Sequence, residues 1–193
     1  MKPINPADPR SAERVRAQEA LGYVAEVDPY FDDVAVGLLK RFGGAFAGVN
    51  HMDEDRNQFF VGLAVIDEET GKIVVPPADD PNRTMLPDHG FCNYGLVERD
   101  LPLPLNDLLS SPRFAGNPVI DKLGARAYLG DWLTVPEGLT TSTGYTVPKA
   151  VKIGSVWVVD TKVQSWTPVD RADIKAVQAR TMNYIIERDR QRA

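Results

Sequence analysis

The stretch Val151–Asp160, Val-Lys-Ile-Gly-Ser-Val-Trp-Val-Val-Asp, constrains this chain more than any other. In an extended strand, successive side chains point to opposite faces. Val156 and Val158 then share one face, and Trp157 and Val159 share the other. Both faces are apolar, so the strand belongs in the middle of a sheet that is covered on both sides. Gly154 leaves room for a neighbouring backbone or ring to come close. Any fold built on this strand needs a packed layer on each face of its sheet.

Helices supply one such layer. Asp28-Pro29 reads as an N-cap followed by proline at the first helical position. Phe31, Val34, Leu38 and Phe42 follow as an apolar stripe, and Gly43-Gly44 can end it, so the spacing predicts a helix over 29–42. Thr167, Pro168 and Asp170 carry the chemistry of a capping box. Ile174, Val177, Thr181 and Ile185 mark the buried face of the closing helix that follows, over 168–187. Asp8-Pro9 is a further start signal, and Ala17, Leu21 and Val24 predict a helix over 9–26, weakened by Gly22. Residues 1–8, rich in proline and turn formers, are expected to lie loose on the surface.

The remaining strands come in a recognisable order. Ala45–Asn50 and Gln58–Ile66 flank the polar turn His51-Met52-Asp53-Glu54-Asp55 and read as an antiparallel pair. Between 67 and 88, four prolines and a cluster of acids predict a long surface loop enclosing one short strand at Ile73-Val74-Val75. Residues 136–148 form a hairpin-like insertion before the apolar strand.

Composition sets limits on function. A chain of 193 residues fits one domain of ordinary size, with no room for a second, effector domain. The net charge is −5 and no block of Lys and Arg occurs, which argues against nucleic acid as a partner, since phosphate recognition needs clustered positive charge. The longest apolar run, Phe59–Ile66, falls far short of the roughly 20 residues that span a bilayer. The amino terminus lacks the apolar core of a secretory signal. Cys92 is the single cysteine, so no intrachain disulfide can form. A cytoplasmic protein with no membrane partner is the expectation.

Phe91-Cys92, Asp107, Ser111-Pro112-Arg113-Phe114-Ala115, Asn117-Pro118-Val119 and Tyr128-Leu129-Gly130 follow one another between Phe91 and Leu133. In that order they resemble a GAF domain. The hairpin around residues 44–63 is similar to the opening hairpin of that family, and Ile153–Asp160 is similar to its last strand. The resemblance divides the chain into an N-terminal extension with a helix, 1–27, and a GAF-like domain, 28–190. It implies an α/β fold of the α+β type: a twisted, mainly antiparallel sheet, helices on one face and a loop-covered pocket on the other. It further implies a non-catalytic sensory or regulatory domain that binds a small molecule or a signalling protein partner. Pairing as a homodimer through the terminal helices also comes from the resemblance. The stripe Ala17, Leu21 and Val24, unassigned to the sheet, offers a surface for it.

The resemblance places Phe46, Phe91, Tyr94, Phe114, Tyr128 and Trp157 around the pocket, with Asn93, Arg113 and Ser155 as its polar groups. Small-molecule sites are mostly apolar with a few aimed polar groups, which suits this set. Each ring taken singly also reads as plain core. Asp107 and Asp160 each close a strand, where a carboxylate accepts N–H bonds from the following turn.

Cys92 is the one candidate nucleophile. A reactive thiol needs a lowered pKa from a cation, a helix start or a histidine, and His89 three residues away need not meet it. It reads as a buried small hydrophobe. One branch of the family reduces free methionine sulfoxide with cysteines placed for thiol–disulfide recycling. A single cysteine leaves no internal resolving partner, so that enzyme, with Cys92 as nucleophile, is the alternative reading. A degenerate scaffold with a filled pocket is a third. The bilin-binding and cyclic-nucleotide-binding signatures of other branches are missing, so no cofactor is assigned. A zinc site would need His51, His89 and Cys92 together, or Asp53 or Asp88 in place of one, from two separate loops; no metal is expected.

Overall fold

The structure, a computed structural model, describes residues 8–94 and 101–192; the expectation for residues 1–7 lies outside them. Its strands are β1 (Phe46–Met52), β2 (Gln58–Ile66), β3 (Ile73–Val74), β4 (Thr84–Met85), β5 (Leu103–Leu105), β6 (Ala127–Val135) and β7 (Val151–Asp160). They form one sheet in the order β3-β2-β1-β7-β6-β5, with β4 pairing β2 off this path. Every pairing among these strands is antiparallel. The longest helices are α1 (Ser11–Leu21), α2 (Pro29–Phe42) and α4 (Pro168–Arg190), with the short α3 (Pro118–Leu123) in the loop region. The fold is therefore α+β. Among the described residues no helix is long and apolar enough to cross a membrane.

β7 is central, between β1 and β6, as its doubly apolar sequence requires. Val156 and Val158 join a cluster with Ala47, Val49 and Val61 from the sheet and Phe31, Leu38, Ile174 and Ile185 from the helices. Trp157 and Val159 face the other way, into a second cluster with Phe60, Phe91, Phe114, Tyr128 and Trp132. One layer is helical; the other is made by the segments around 91–94 and 103–125.

α2 matches its sequence signals. Asp28 caps it, accepting from the Tyr30 N–H at 2.9 Å, and Gly43 ends it at a positive φ of 71°. Its first turn lies against the backbone of β2. A Cβ on Gly62 would stand 2.2 Å from the Phe31 carbonyl oxygen, so only glycine permits this approach. The Asp32 carboxylate accepts the N–H of Leu63 at 2.9 Å, close to the register shift where β1 and β2 slip at Val49/Asn50. Thr167 and Asp170 form the capping box of α4, which runs on to Arg190, three residues past the predicted end.

α1 departs from its prediction. It starts at Ser11 and stops at Leu21, where Gly22 takes the left-handed conformation. Val24 lies beyond the helix and is 44% exposed. Ala17 and Leu21 are buried in the helical-side cluster of the chain's own core. The reason is polar. Gln18 reaches between two strands and donates from Nε2 to the carbonyls of Met52 and Ile153, both at 2.8 Å. Arg14, ion-paired with Asp8, donates to the Asp53 carbonyl at 3.1 Å. Two of the three residues of the stripe offered above to a second copy of the chain, Ala17 and Leu21, thus pack on the chain's own sheet.

One buried side chain ties the long loop 67–88 to both β2 and α2. Arg83 is 1% exposed. Its guanidinium donates to the carbonyls of Pro77 (3.0 Å), Pro76 (2.6 Å) and Phe60 (3.0 Å), and to the Asp32 carboxylate at 3.0 Å. It fixes the loop to β2 and α2 and sets β4 beside β2. Asp107 and Asp160 do the turn work expected of them. Asp107 accepts from the Leu109 N–H at 3.2 Å, and Asp160 from the Lys162 N–H at 3.0 Å.

Candidate functional site

The side of the sheet away from the long helices gathers most of the residues singled out by sequence, and among the described residues their rings pack largely on one another. Phe91 packs edge-on against Phe114 and tilted against Tyr128, each with ring centroids 5.4 Å apart. Tyr94 meets Phe114 at 5.1 Å, and the Arg113 guanidinium sits 4.5 Å from the Tyr94 ring centre. Trp157 lies over Gly48 and meets Phe60 at 5.1 Å. Phe46 is half-buried at the margin of the same cluster. These rings fill the middle of the face themselves.

Open space lies at the margins. A cleft of about 300 Å³ beside β5 is lined by Tyr94, Leu103–Asp107, Ser110, Ser111, Arg113 and Phe114. It takes three of the predicted residues. A larger cleft of about 530 Å³ lies at the far end of β1 and β2. His51, Asp53, Asn57, Gln58 and Phe59 form one wall, Thr84–Leu86 and His89 another, and Pro118, Val119, Lys122 and Leu123 of α3 a third. None of the nine predicted site residues lines it.

A buried polar chain links this larger cleft to the aromatic cluster. The Ser155 N–H and hydroxyl both donate to Asn50 Oδ1, at 2.8 and 2.6 Å. A backbone N–H can only donate, so the orientation of the Asn50 amide follows from it. Asn50 Nδ2 must then donate, and it does so to Gln58 Oε1 at 2.8 Å. Gln58 is left with its Nε2 turned away. That nitrogen is buried and has no acceptor among the described residues. An unmet buried donor of this kind costs about 1–3 kcal/mol. At the other end of the chain, the Ser155 hydroxyl lies near enough to the Cys92 thiol to favour its charged form. Cys92 Sγ in turn lies 3.5 Å from the Tyr128 hydroxyl.

Sequence reasoning found Ser155, Cys92 and Tyr128 but passed over Asn50 and Gln58. Each stands at the end of a predicted strand, next to a polar turn, where a polar residue asks for no explanation. Both are buried once β1 and β2 pair in their shifted register. Their signal is weak: an amide next to one apolar residue, met twice eight positions apart. Asn93, predicted as a polar contact, donates from Nδ2 to the Pro87 carbonyl and keeps a buried Oδ1 without a donor among the described residues.

The titratable groups argue against thiol chemistry at rest. Burial pushes the Cys92 thiol up, only partly offset by Ser155 and Tyr128, and burial likewise raises Tyr128. His51, in the wall of the cleft, is brought down to about 4, chiefly by burial, so its ring is neutral at neutral pH. Among the described residues no group of three or more His, Cys, Asp and Glu side chains converges as metal ligands. Native Cys92 should therefore react with a thiol reagent such as DTNB at least about a hundredfold more slowly than the unfolded chain at neutral pH. Stopped-flow labelling measures this, and labelling at the unfolded rate would revive Cys92 as a nucleophile.

Solved structures of the same fold match almost the whole chain. A far-red cyanobacteriochrome photoreceptor has a TM-score of 0.59 and 10% identity, covering 92% of this chain and 92% of its own. The GAF domain of the Acinetobacter phosphoenolpyruvate-protein phosphotransferase has a TM-score of 0.53 and 10% identity, over 93% and 94%. The free methionine-R-sulfoxide reductase of Neisseria meningitidis, solved with its substrate, has a TM-score of 0.53 and 12% identity, over 97% and 96%. Neither a protein-family model nor a curated protein sequence matches the chain. At such identities the likeness concerns the fold.

Proposed function

We propose that this chain, a GAF-like domain, is a non-catalytic sensory or regulatory module that binds a small molecule on the loop-covered side of its sheet. The observation that carries the reading is the cleft of about 530 Å³, with the unmet Gln58 donor in its wall and a buried polar chain behind it. A volume of several hundred Å³, mostly apolar with a few aimed polar groups, suits a small molecule. The photoreceptor and phosphotransferase domains among the neighbours fit a signalling role. Binding in the cleft would bear on Gln58 and Asn50, and so on the pairing of β1 with β7 at Asn50↔Ser155. That is a direct route from a ligand to the centre of the sheet. The signal would pass to a separate protein partner or to a second copy of the chain.

Native mass spectrometry of the purified full chain tests this. The expected result is a retained mass of a few hundred daltons, lost when Leu123→Trp fills the cleft. Leu123 is half-exposed, so the variant should fold. A chain that carries nothing in the native state, and whose melting temperature no metabolite pool raises, would sink the proposal.

A second reading has its own observation in support. Phe91, Phe114, Tyr128 and Trp157 interlock over the face where the family resemblance expected a pocket. A filled scaffold acting only through its surface would look the same there, and it predicts that same empty spectrum. The reductase reading has weaker footing, because its nucleophile would be a buried thiol with a raised pKa.

A further inference from the structure

We infer that the cleft selects molecules presenting a carbonyl-type oxygen, as an amide, ketone or carboxylate, on an apolar body. The inference rests on the small-molecule reading above and names the chemistry of its ligand. Its starting point is the one-way hydrogen-bond order Ser155 to Asn50 to Gln58. Because the first donor is a backbone N–H, no amide in the series can turn over without breaking a bond. The series therefore ends in a donor, the Gln58 Nε2, which cannot become an acceptor.

Gln58 is 2% exposed and lines the cleft. Two features would let a small group reach this buried amide. Gly90 has no side chain, and a Cβ there would stand 4.0 Å from Nε2. Met85, paired with Gln58 across β2 and β4, is a flexible neighbour that can move aside. The same face of the sheet holds two more buried donors without acceptors among the described residues, the indole N–H groups of Trp132 and Trp157. The counter-example, Asn93 Oδ1, does not line the cleft. What the interior here lacks is acceptors.

The rest of the cleft sets the body of the ligand. Phe59, Met85, Leu86, Val119 and Leu123 give it apolar walls. The charges at its rim, Lys122 and Asp53, are of opposite sign, so net charge does not choose between a neutral carbonyl and a carboxylate. The Asp53 carboxylate is engaged by Asn57, at 2.8 Å from its N–H and 2.9 Å from its Nδ2. Gln58 Oε1 is likewise engaged, by Asn50, so what the Gln58 amide has left to offer a ligand is its donor.

Three probes with one apolar body test this on the ¹⁵N-labelled full chain by NMR: hexanamide, hexanoate and hexylamine. The first two supply the oxygen, neutral and charged; the third supplies only donors. Hexanamide or hexanoate, at up to about 10 mM to cover millimolar fragment affinities, should shift the Gln58 side-chain NH₂ pair saturably. Hexylamine should leave the pair in place. Gln58→Glu keeps the oxygen that Asn50 needs and removes the donor, so it should weaken hexanamide binding at least about tenfold. The wild-type shift needs no variant and stands alone if that one misfolds. Hexylamine shifting Val119 and Met85 as strongly as hexanamide, with the Gln58 pair unmoved, would overturn the acceptor class and leave a small-molecule site standing. Silence from all three probes across every cleft resonance would overturn both.

Discussion

Replacing Arg83 with alanine is expected to cost about 3–5 kcal/mol of stability, the range for removing one partner of a buried ion pair. The guanidinium meets three backbone carbonyls and one carboxylate with almost no solvent contact. Alanine would remove the donor from all four acceptors, of which the Pro76 and Phe60 carbonyls belong to buried residues. Lysine is not a remedy. Its single ammonium cannot span the fork from Pro76 and Pro77 to Phe60 and Asp32, so Arg83→Lys should recover less than half of the loss. Urea unfolding followed by tryptophan fluorescence and far-UV circular dichroism measures both variants. The two signals should move together if the whole domain is weakened. A cost under about 1 kcal/mol would mean that the loop 67–88 is not anchored by this residue. The effect reaches the cleft as well, because Arg83 leads directly into β4, whose Thr84 and Met85 form one of its walls.

Trp157→Ala should be comparably severe, at about 3–5 kcal/mol, if the ring is core. Its indole is almost fully buried, lies over Gly48 and meets Phe60 edge-on. The backbone of β1 cannot collapse onto the gap, because β7 is paired on both sides. For a chain of this length the loss corresponds to a fall in Tm of roughly 10 °C or more. Trp157→Phe keeps most of the ring and removes only an N–H that has no acceptor among the described residues, so it should cost much less. Differential scanning calorimetry on both variants gives the comparison. Near-wild-type stability for Trp157→Ala, together with lost retention of small molecules in native mass spectrometry, would reverse the assignment. The ring would then be a ligand contact, as the family resemblance implied.

α2, β2, β7 and the start of α4 were legible from the sequence because each is specified locally. A capping side chain, a proline at the first turn and a two-face apolar run act over a few neighbouring residues, and the chain writes them in order. β7 alone required a sheet covered on both faces, since a strand apolar on both sides demands two layers; the α+β class came from the family resemblance. The family order between Phe91 and Leu133 then supplied the arrangement, and the solved neighbours agree with it at the level of fold.

Three matters were settled only by tertiary structure. Whether α1 would pack on its own sheet depended on Gln18 and Arg14, which reach backbone carbonyls more than thirty positions away, on β1 and β7 and just past the end of β1. How the rings of separate segments interlock over the sheet is a tertiary outcome, and no spacing encodes it. The unmet donor at Gln58 emerged from a register shift in the β1–β2 hairpin and from an amide orientation dictated by Ser155, over a hundred positions along the chain. Local propensity acts along the chain and can be read there. Hydrogen-bond polarity is passed from partner to partner across strands, so the cleft acquires its chemistry only once the sheet is assembled.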